Sequence, residues 1–151
     1  MFPFNVRVYG ILINEKQEVL ISDERTENVS FTKFPGGGLE YGEGLLDALI
    51  REYQEECDFD IAIVKHIYTT DFYEKSSFND SQIISIYYQV ENTSPIQIRT
   101  TNSAFDFDPE QKPEDNKLQS FRWVPIESVL TEDLTFKTDQ IAWEEFLKTI
   151  K

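Results

Sequence analysis

Three glutamates, Glu52, Glu55 and Glu56, are the residues of this sequence whose type and spacing best suit chemistry. Side chains three and four positions apart lie together on a helix, so these carboxylates would crowd one side of it. Like charges at that spacing destabilise a helix by roughly 0.2–0.5 kcal/mol per pair, and the cluster therefore needs a cation or a proton. Mg²⁺ typically binds one or two carboxylates together with substrate phosphates. The cluster indicates a divalent metal site, and the alternative is a solvated acidic face on a surface helix.

A run of glycines directly before the helix favours the metal site. Residues 36–38 are all glycine and predict a tight loop that carries no side chains. Glu40 and Glu43 add two further carboxylates to the connection between this loop and the helix. The helix itself is predicted from an apolar stripe at i, i+3, i+4 and i+7, formed by Leu46, Leu49, Ile50, Tyr53 and Cys57.

The stretch from residue 34 to residue 61 resembles the Nudix box of the Nudix (MutT-like) hydrolases. The pattern of that box is G-x5-E-x7-R-E-U-x-E-E-x-G-U, where U is a bulky aliphatic residue. The corresponding positions here are Gly37, Glu43, Arg51, Glu52, Tyr53, Glu55, Glu56 and Phe59. The common extension P-G-G-x-x-E-x-G-E is also present, as Pro35, Gly36, Gly37, Glu40, Gly42 and Glu43. So many fixed positions rarely coincide by chance.

The resemblance implies a hydrolase that cleaves a diphosphate bond in a nucleoside diphosphate linked to another group, X. It implies that Glu52, Glu55 and Glu56 hold Mg²⁺, or Mn²⁺. Arg51 is expected to pair with Glu43 and to orient the helix, which completes the expected catalytic set. The metal would polarise the phosphoryl group and lower the pKa of an attacking water, so that catalysis rests on positioning and charge neutralisation.

Substrate contacts implied by the resemblance fall in the glycine loop and near the strands before it. Gly36, Gly37 and Gly38 would let the backbone approach the metal and the phosphates with no Cβ in the way. The family places an arginine in this region on substrate phosphate, and Arg25 is the best positional match. Taken by itself, Arg25 is more typical of an exposed loop arginine.

Three positions depart from the family pattern. Asp58 stands where the box has a glycine that would cap the helix in the left-handed region, which Asp enters less easily. We expect a local cost of roughly 1 kcal/mol and no lost site, because no expected ligand changes. Tyr53 and Phe59 are aromatic where aliphatic residues are usual, and both should be packing variants.

The sequence leaves the general base and the group X open. Glu52 or Glu55 could serve as the base, and so could an acid of the 106–115 loop, namely Asp106, Asp108 or Glu110. Two connections carry aromatic side chains that could stack on a nucleobase, with ordinary packing as the alternative for each: Phe72, Tyr73, Phe78, Phe105 and Phe107.

Charge and composition narrow the class of partner. The formal charge of the 151 residues is −14, from 28 acidic against 14 basic residues. Binding to duplex DNA or to anionic membranes needs basic patches, so this balance argues against both. It permits a nucleotide, because divalent cations can bridge carboxylates to phosphates.

The sequence shows no pattern of a membrane-spanning or exported protein, which bears on the expected cellular compartment. No apolar run approaches the ~20 residues of a membrane span, and the first residues lack a signal-peptide pattern. Cys57, as the single cysteine, excludes an internal disulfide and has the helical phase of a core residue. We expect a cytoplasmic protein, a monomer or a homodimer, whose partner is a small nucleotide.

Strand and helix patterns surround the motif on both sides. The β-rich runs predict strands at residues 4–13, 18–22, 31–34, 61–69, 82–91 and 118–124, the first two joined as a hairpin. A proline-started turn of helix is predicted at 125–130 and an amphipathic helix at 138–150. Residues 1–151 are expected to form a single Nudix hydrolase domain. This order fits the α/β fold that the resemblance implies, an α/β/α sandwich with a central mixed β-sheet and the Nudix loop and helix.

Residues 92–117 form the one poorly patterned stretch. Ile96 and Ile98 could form a short strand, whereas residues 104–117 are acidic and contain two prolines, Pro109 and Pro113. Long loops in compact domains are usually lids, binding loops or disorder.

Two other functions compete with the metal-dependent hydrolase. One is a catalytically silent Nudix-fold domain that binds or senses a nucleotide, but such sequences typically lose metal glutamates and none is lost here. The other is an acidic Ca²⁺-binding or interaction protein in which the box is accidental, and the absence of EF-hand spacing speaks against it.

Overall fold

The structure, a computed structural model, describes residues 3–27, 29–113 and 116–150. Residues 114 and 115 of the predicted acidic loop therefore lie outside the described residues. The elements in chain order are β1 (Phe4–Leu12), β2 (Glu18–Thr26), β3 (Val29–Lys33), β4 (Gly36–Gly38), α1 (Leu45–Cys57), β5 (Ile61–Thr69), β6 (Gln82–Asn92), β7 (Thr100–Thr101), β8 (Lys117–Pro125), two 3₁₀ turns (Ile126–Ser128 and Thr131–Asp133) and α2 (Lys137–Thr149).

The strands form two four-stranded sheets. The first has the order β4-β1-β6-β5, in which β1 runs parallel to β6 and antiparallel to β4. The second has the order β3-β2-β8-β7, in which β7 runs parallel to β8 and the remaining pairs are antiparallel. Both sheets are mixed and helices flank them, which confirms the predicted α/β class with mixed strand directions.

The predicted hairpin between residues 4–13 and 18–22 is wrong, because the two strands belong to different sheets. β1 pairs with β4 and β6, whereas β2 pairs with β3 and β8. In the part of the chain that the structure describes, the two strands share one bridge, Ile13 to Val19, beside a turn closed by Asn14 and Glu18. A short polar turn indicates that two strands are near each other, but long-range pairing decides which edges join.

β2 is longer than predicted, because it continues past residue 22 through polar residues to Thr26. Asp23 and Glu24 are buried on this strand. Each has a cation from a neighbouring strand: Arg122 of β8 makes two hydrogen bonds to Asp23, and Lys33 of β3 lies 2.9 Å from Glu24. These pairs compensate the desolvation of both carboxylates, which a polarity pattern alone cannot anticipate.

The core consists of two clusters on opposite sides of the first sheet. Successive side chains of a strand point to opposite faces, so Val8 and Leu12 join the cluster beneath α1, while Tyr9 and Ile11 join the one beneath α2. α1 buries Ala48, Leu49, Tyr53 and Cys57, and α2 buries Ala142, Trp143 and Phe146. Leu46 was predicted in the apolar stripe but is 45% exposed.

The end of α1 bears out the expectations for the unusual residues of the motif. Asp58 takes the left-handed conformation, with φ 56° and ψ 38°, and its N–H donates to Gln54 O at 3.1 Å. Tyr53 and Phe59 are fully buried and pack edge to face at 5.6 Å between ring centroids. They are packing variants, as predicted.

The poorly patterned segment differs from the prediction in one respect. Ile96 and Ile98 do not form a strand but pack against the cluster beneath α1, and the short strand β7 follows them at Thr100. Neither helix of the described residues is long and apolar enough to cross a membrane.

Candidate active site

A cleft of about 540 Å³ opens between the two sheets. β1 and β4 line it on one side and β2, β3 and β8 on the other, with further lining from residues 74–78 and the start of α2. Glu52 and Glu56 of α1 reach the cleft beside all three glycines of β4. The structure thus brings the glycine run and two of the three clustered glutamates together.

The glycine run is a short strand, not the predicted loop, because it pairs with β1. Gly36 has a φ of +149°, and a Cβ there would lie 2.1 Å from Val8 O on the paired strand. At Gly37 a Cβ would lie 2.6 Å from the carboxyl group of Glu52. Glycine is therefore required for backbone pairing at the first position and for the approach of a carboxylate at the second.

Arg51 connects the glycine strand to the acidic residues around it. Its Nε and Nη2 donate to the two carboxyl oxygens of Glu43 at 3.0 and 2.7 Å, the two-bond geometry that suits a guanidinium. Nη2 also donates to Gly38 O at 3.0 Å. Nη1 donates to Glu52 and Glu55, at 3.1 Å each. One arginine thus positions the strand and the side chains of three glutamates.

The environments of Glu43 and Glu52 shift their pKa values in opposite directions. The hydrogen bond from Arg51 holds the pKa of Glu43 below its ordinary value. Burial, followed by repulsion from Glu56, raises the pKa of Glu52 despite the neighbouring Arg51. Glu52 is therefore a carboxylate whose negative charge is under-compensated at the edge of the cleft.

Glu55 and Glu56 lie in different surroundings although they are adjacent in sequence. The Glu56 side chain is 12% exposed, accepts a hydrogen bond from Gly36 N–H at 3.3 Å and lies 3.5 Å from Lys117 Nζ. The Glu55 side chain is 58% exposed, is held by Arg51 and is not among the residues that line the cleft. The helix therefore presents Glu52 and Glu56 to the cleft and Glu55 to solvent.

The oxygen donors of this site fit a hard divalent cation. The described residues hold no ready group of three or more Asp, Glu, His or Cys side chains at ligand positions. Glu52 and Glu56 nonetheless lie one helical turn apart, are 13% and 12% exposed, and repel each other. A cation between two such carboxylates would relieve the repulsion that raises the pKa of Glu52.

A buried ion network lies on the opposite wall, and the sequence analysis did not identify it. Glu24 is 1% exposed and lies 2.9 Å from Lys33 Nζ and 3.0 Å from Lys117 Nζ. Burial opposes ionisation of Glu24, but the two lysines outweigh it and lower its pKa. Ser22 donates a further hydrogen bond at 2.8 Å. The even spacing of Ser22 and Glu24, and of Phe31 and Lys33, was the available signal, because such residues share one face of a strand.

A second carboxylate that the sequence analysis missed is Asp139, in the first turn of α2. It is buried, lines the cleft and accepts a hydrogen bond from the Tyr87 hydroxyl at Oδ1. Its Oδ2 has no hydrogen-bond partner among the described residues. Burial raises the pKa of Asp139 to about 6. A buried acceptor without a partner that borders a cleft is suited to a ligand donor.

Arg25 lies apart from the cleft. It is exposed on β2, its Nε donates to Ser30 at 3.0 Å, and its guanidinium lies 5.2 Å from the Phe107 ring. Alternation along β2 turns Glu24 and Thr26 toward the cleft instead. The contact between Arg25 and substrate phosphate stays a prediction.

The structure separates the candidates for the general base. Asp106, Asp108 and Glu110 are not among the residues that line the cleft: Asp106 interacts with Arg99, and the other two border a separate shallow groove. Of the aromatic candidates, Phe78 lines the cleft and packs with Phe31 and Phe136, whereas the others are not part of its lining: Phe72, Tyr73, Phe105 and Phe107.

Several solved structures share the fold of this chain. No curated relative has a significant match. The fold is similar to that of the E. coli ORF135 protein, with a TM-score of 0.72 and 17% identity over 99% of this chain and 92% of that one. For a MutT protein from Methanosarcina mazei Go1 the TM-score is 0.72, with 18% identity over 99% and 97% of the two chains. An ADP-ribose pyrophosphatase from Streptococcus suis 89-1591 has a TM-score of 0.59 and 12% identity over 95% and 92%.

These structural likenesses show a shared fold. The family model described as NUDIX domain matches residues 3–143, which include both sheets, α1 and the cleft between the sheets. The glycine strand, Arg51 and the glutamates of α1 stand inside that match. The chain belongs to the NUDIX domain family.

Proposed function

We propose that this Nudix hydrolase cleaves the diphosphate bond of a nucleoside diphosphate linked to X, with Mg²⁺ or Mn²⁺ as cofactor. The observation that carries the proposal is the approach of the Glu52 carboxyl group to Gly37 at the edge of the cleft. This approach brings an under-compensated carboxylate next to a backbone without a side chain, and both line the cleft in which a bridging cation and a phosphate would bind. The metal ligands in this proposal are Glu52, Glu55 and Glu56. To reach the metal, the Glu55 carboxylate would have to break its hydrogen bond with Arg51.

Bound at these oxygens, the cation would supply charge neutralisation at phosphorus and a lowered pKa for the attacking water. Arg51 and Glu43 fix the position of the glycine strand relative to the helix. Gly36 and Gly37, without side chains, leave room for phosphate oxygens. Glu52 is better placed than Glu55 to accept the proton of the water, because Glu52 lines the cleft. Glu55 is mostly exposed and does not line the cleft.

Other parts of the cleft lining support binding of the nucleoside. Phe31, Phe78 and Phe136 form an aromatic cluster there, with ring centroids 5.5 to 6.4 Å apart. Asp139 Oδ2, which has no hydrogen-bond partner in the described part of the chain, offers an acceptor in the same cleft. An aromatic wall and a buried acceptor together suit the face and the amino group of a nucleobase.

Setting and partners follow from the same proposal. The substrate is a small nucleotide, residues 1–151 act as a single domain, and the protein is a cytoplasmic monomer or homodimer without duplex nucleic-acid or membrane partners. The ADP-ribose pyrophosphatase that shares the fold makes ADP-ribose one substrate to test first.

A substrate panel tests the proposal. The purified protein is incubated with Mg²⁺ or Mn²⁺ at mildly alkaline pH, and phosphate, pyrophosphate and nucleotide products are measured. The panel contains unmodified and oxidised nucleoside triphosphates, ADP-ribose, dinucleoside polyphosphates and nucleotide sugars. Cleavage of one class that stops on addition of EDTA is expected and names X. Folded protein that binds a nucleotide but turns over no member of the panel would indicate a silent binding domain and overturn the hydrolase proposal.

A further inference from the structure

The Arg25 side chain points away from the cleft, so β2 presents no cation to it. Glu24 takes the cleft-facing position on β2, and the two lysines closest to it, Lys33 and Lys117, are already paired with it. Their charges are therefore partly neutralised within the wall of the cleft. A diphosphate bound beside the glycine strand needs another positive group nearby.

Arg7 of β1 is in that position. The strand register sets Arg7 opposite Gly38 on one side and Ser85 on the other, and all three line the cleft. A Cβ on Gly38 would lie 3.6 Å from Arg7 Nη1, so the guanidinium lies against the glycine strand. The Glu52 carboxyl group lies against the adjacent glycine, Gly37. Arg7 and Glu52 thus both lie against the glycine strand.

The Arg7 guanidinium has donors to spare. Its Nε donates to the Tyr9 hydroxyl at 2.5 Å, and it forms no ion pair with any carboxylate that the structure describes. Burial disfavours the charged form, but the Tyr9 hydroxyl and the Glu52 carboxylate outweigh this, so the pKa of Arg7 is raised and the cation is retained. A half-buried cation bonded to a neutral hydroxyl keeps two Nη groups for an anion.

We propose that Arg7 binds non-bridging oxygens of the substrate diphosphate through its Nη groups. Arg7 would supply the phosphate-binding cation that β2 does not supply, because β2 presents Glu24 to the cleft. This inference rests on the proposed function, since it assigns a further residue to the same site. A guanidinium presents two parallel donors to a phosphate, and charge-assisted bonds of this kind are about twice as strong as neutral ones. Arg7 would serve in binding and, as charge builds on the diphosphate oxygens, in the transition state.

The test uses a probe that reports on the diphosphate alone. Binding of inorganic pyrophosphate in the presence of Ca²⁺ is measured by calorimetry for the parent protein, Arg7→Gln and Arg7→Lys. Lys65→Gln is the matched control. It also removes one positive charge, but Lys65 is exposed on β5 and lies outside the cleft. Thermal unfolding of each variant shows whether it folds, and kcat and KM are measured for whichever panel nucleotide the parent cleaves.

Arg7→Gln should weaken pyrophosphate binding roughly 10- to 100-fold, in the range of a charge-assisted hydrogen bond. Arg7→Lys should lose less pyrophosphate affinity than Arg7→Gln, because lysine keeps the positive charge. It should still lose some affinity, because lysine lacks the paired donors of a guanidinium. Lys65→Gln should stay within twofold of the parent. The kcat/KM should fall with pyrophosphate affinity.

Equal pyrophosphate binding by the parent and the folded Arg7→Gln variant would overturn the assignment, because a residue that only supports Tyr9 would give that result. If Arg7→Gln does not fold, Arg7→Lys with parental affinity and parental kcat/KM would count against the paired-donor contact in the same way. Failure of the assignment leaves hydrolysis by the parent unchanged, whereas failure of the proposed function appears as a parent that cleaves nothing in the panel.

Discussion

Replacing Gly37 with alanine tests whether the close approach of Glu52 to the glycine strand is needed for activity. The new Cβ would lie 2.6 Å from the Glu52 carboxyl group, whereas ordinary contacts begin near 3.4 Å. The carboxyl group must therefore retreat by roughly 0.8 Å, because the backbone at this position is held by pairing with Val8. The Gly37 φ lies outside the left-handed range, so alanine imposes no backbone strain of its own.

The expected effect falls on catalysis more than on folding. A misplacement of about 1 Å in a positioning group can lower a rate about 10²-fold, which corresponds to about 2.7 kcal/mol of transition-state stabilisation. The free energy of unfolding should change by no more than about 1–2 kcal/mol, since a flexible carboxylate can move at the end of its side chain.

Three measurements check this expectation: metal-dependent product release, the Mn²⁺ affinity of the protein and the midpoint of thermal unfolding. Gly44→Ala is the control, because a Cβ there would lie 3.8 Å from Asp47 Oδ2, an ordinary contact, and the residue lies outside the cleft. It should keep parental activity and lose at most about 1 kcal/mol of helix stability at the N-cap.

A folded Gly37→Ala protein with parental kcat and Mn²⁺ affinity would refute the reasoning, because the position of Glu52 would then be irrelevant to the site. Loss of the fold would refute it differently, by showing that the clash is relieved by displacement of β4 and not by the side chain.

Five further variants address the same site. Glu56→Gln and Glu55→Gln should each lower kcat at least ~10²-fold with the fold intact, and near-parental turnover in either would remove that residue from the metal site. Lys33→Met should cost about 3–5 kcal/mol, because it leaves Glu24 buried with one cation fewer. Chemical denaturation should show a smaller loss for the Glu24→Met, Lys33→Met double variant, and an equal loss would contradict the pairing. Asp139 has a pKa raised from 3.8 to about 6, so the folded protein binds more protons in that range and unfolding free energy should fall as pH rises through it. Asp139→Asn should remove this fall and add up to about 3 kcal/mol at pH 8; a parallel pH dependence in both proteins would contradict the assignment.

The helix at the centre of the site could be predicted closely from sequence. The predicted stripe through Leu49, Tyr53 and Cys57 is the buried face of α1, and Asp58 ends the helix in the left-handed conformation. Local rules sufficed there because a helix is closed by hydrogen bonds between residues near in sequence. Leu46 was the exception, since which flank of the stripe is covered depends on the neighbouring elements.

The strands were located but not paired. Their β-rich runs predicted most of the boundaries, yet the hairpin between the first two strands was wrong and the second strand was predicted to end at residue 22, whereas it continues to Thr26. Pairing joins residues far apart in sequence, such as Asp23 with Ser120 of β8, and no local pattern records that partner. The burial of Glu24 likewise depends on Lys33 and Lys117, which come from two other strands.

The sequence by itself determined the family motif, the helix that carries the glutamates and the chemistry those residue types can support. The tertiary structure decided which of them face the cleft: Glu52 and Glu56 do, whereas Glu55 and Arg25 do not. It also brought in Arg7, Lys33 and Asp139, which lie outside the motif. The physical reason is that a residue's chemistry is local, whereas its burial, its charge partners and the direction of its side chain are set by elements that meet only in the folded chain.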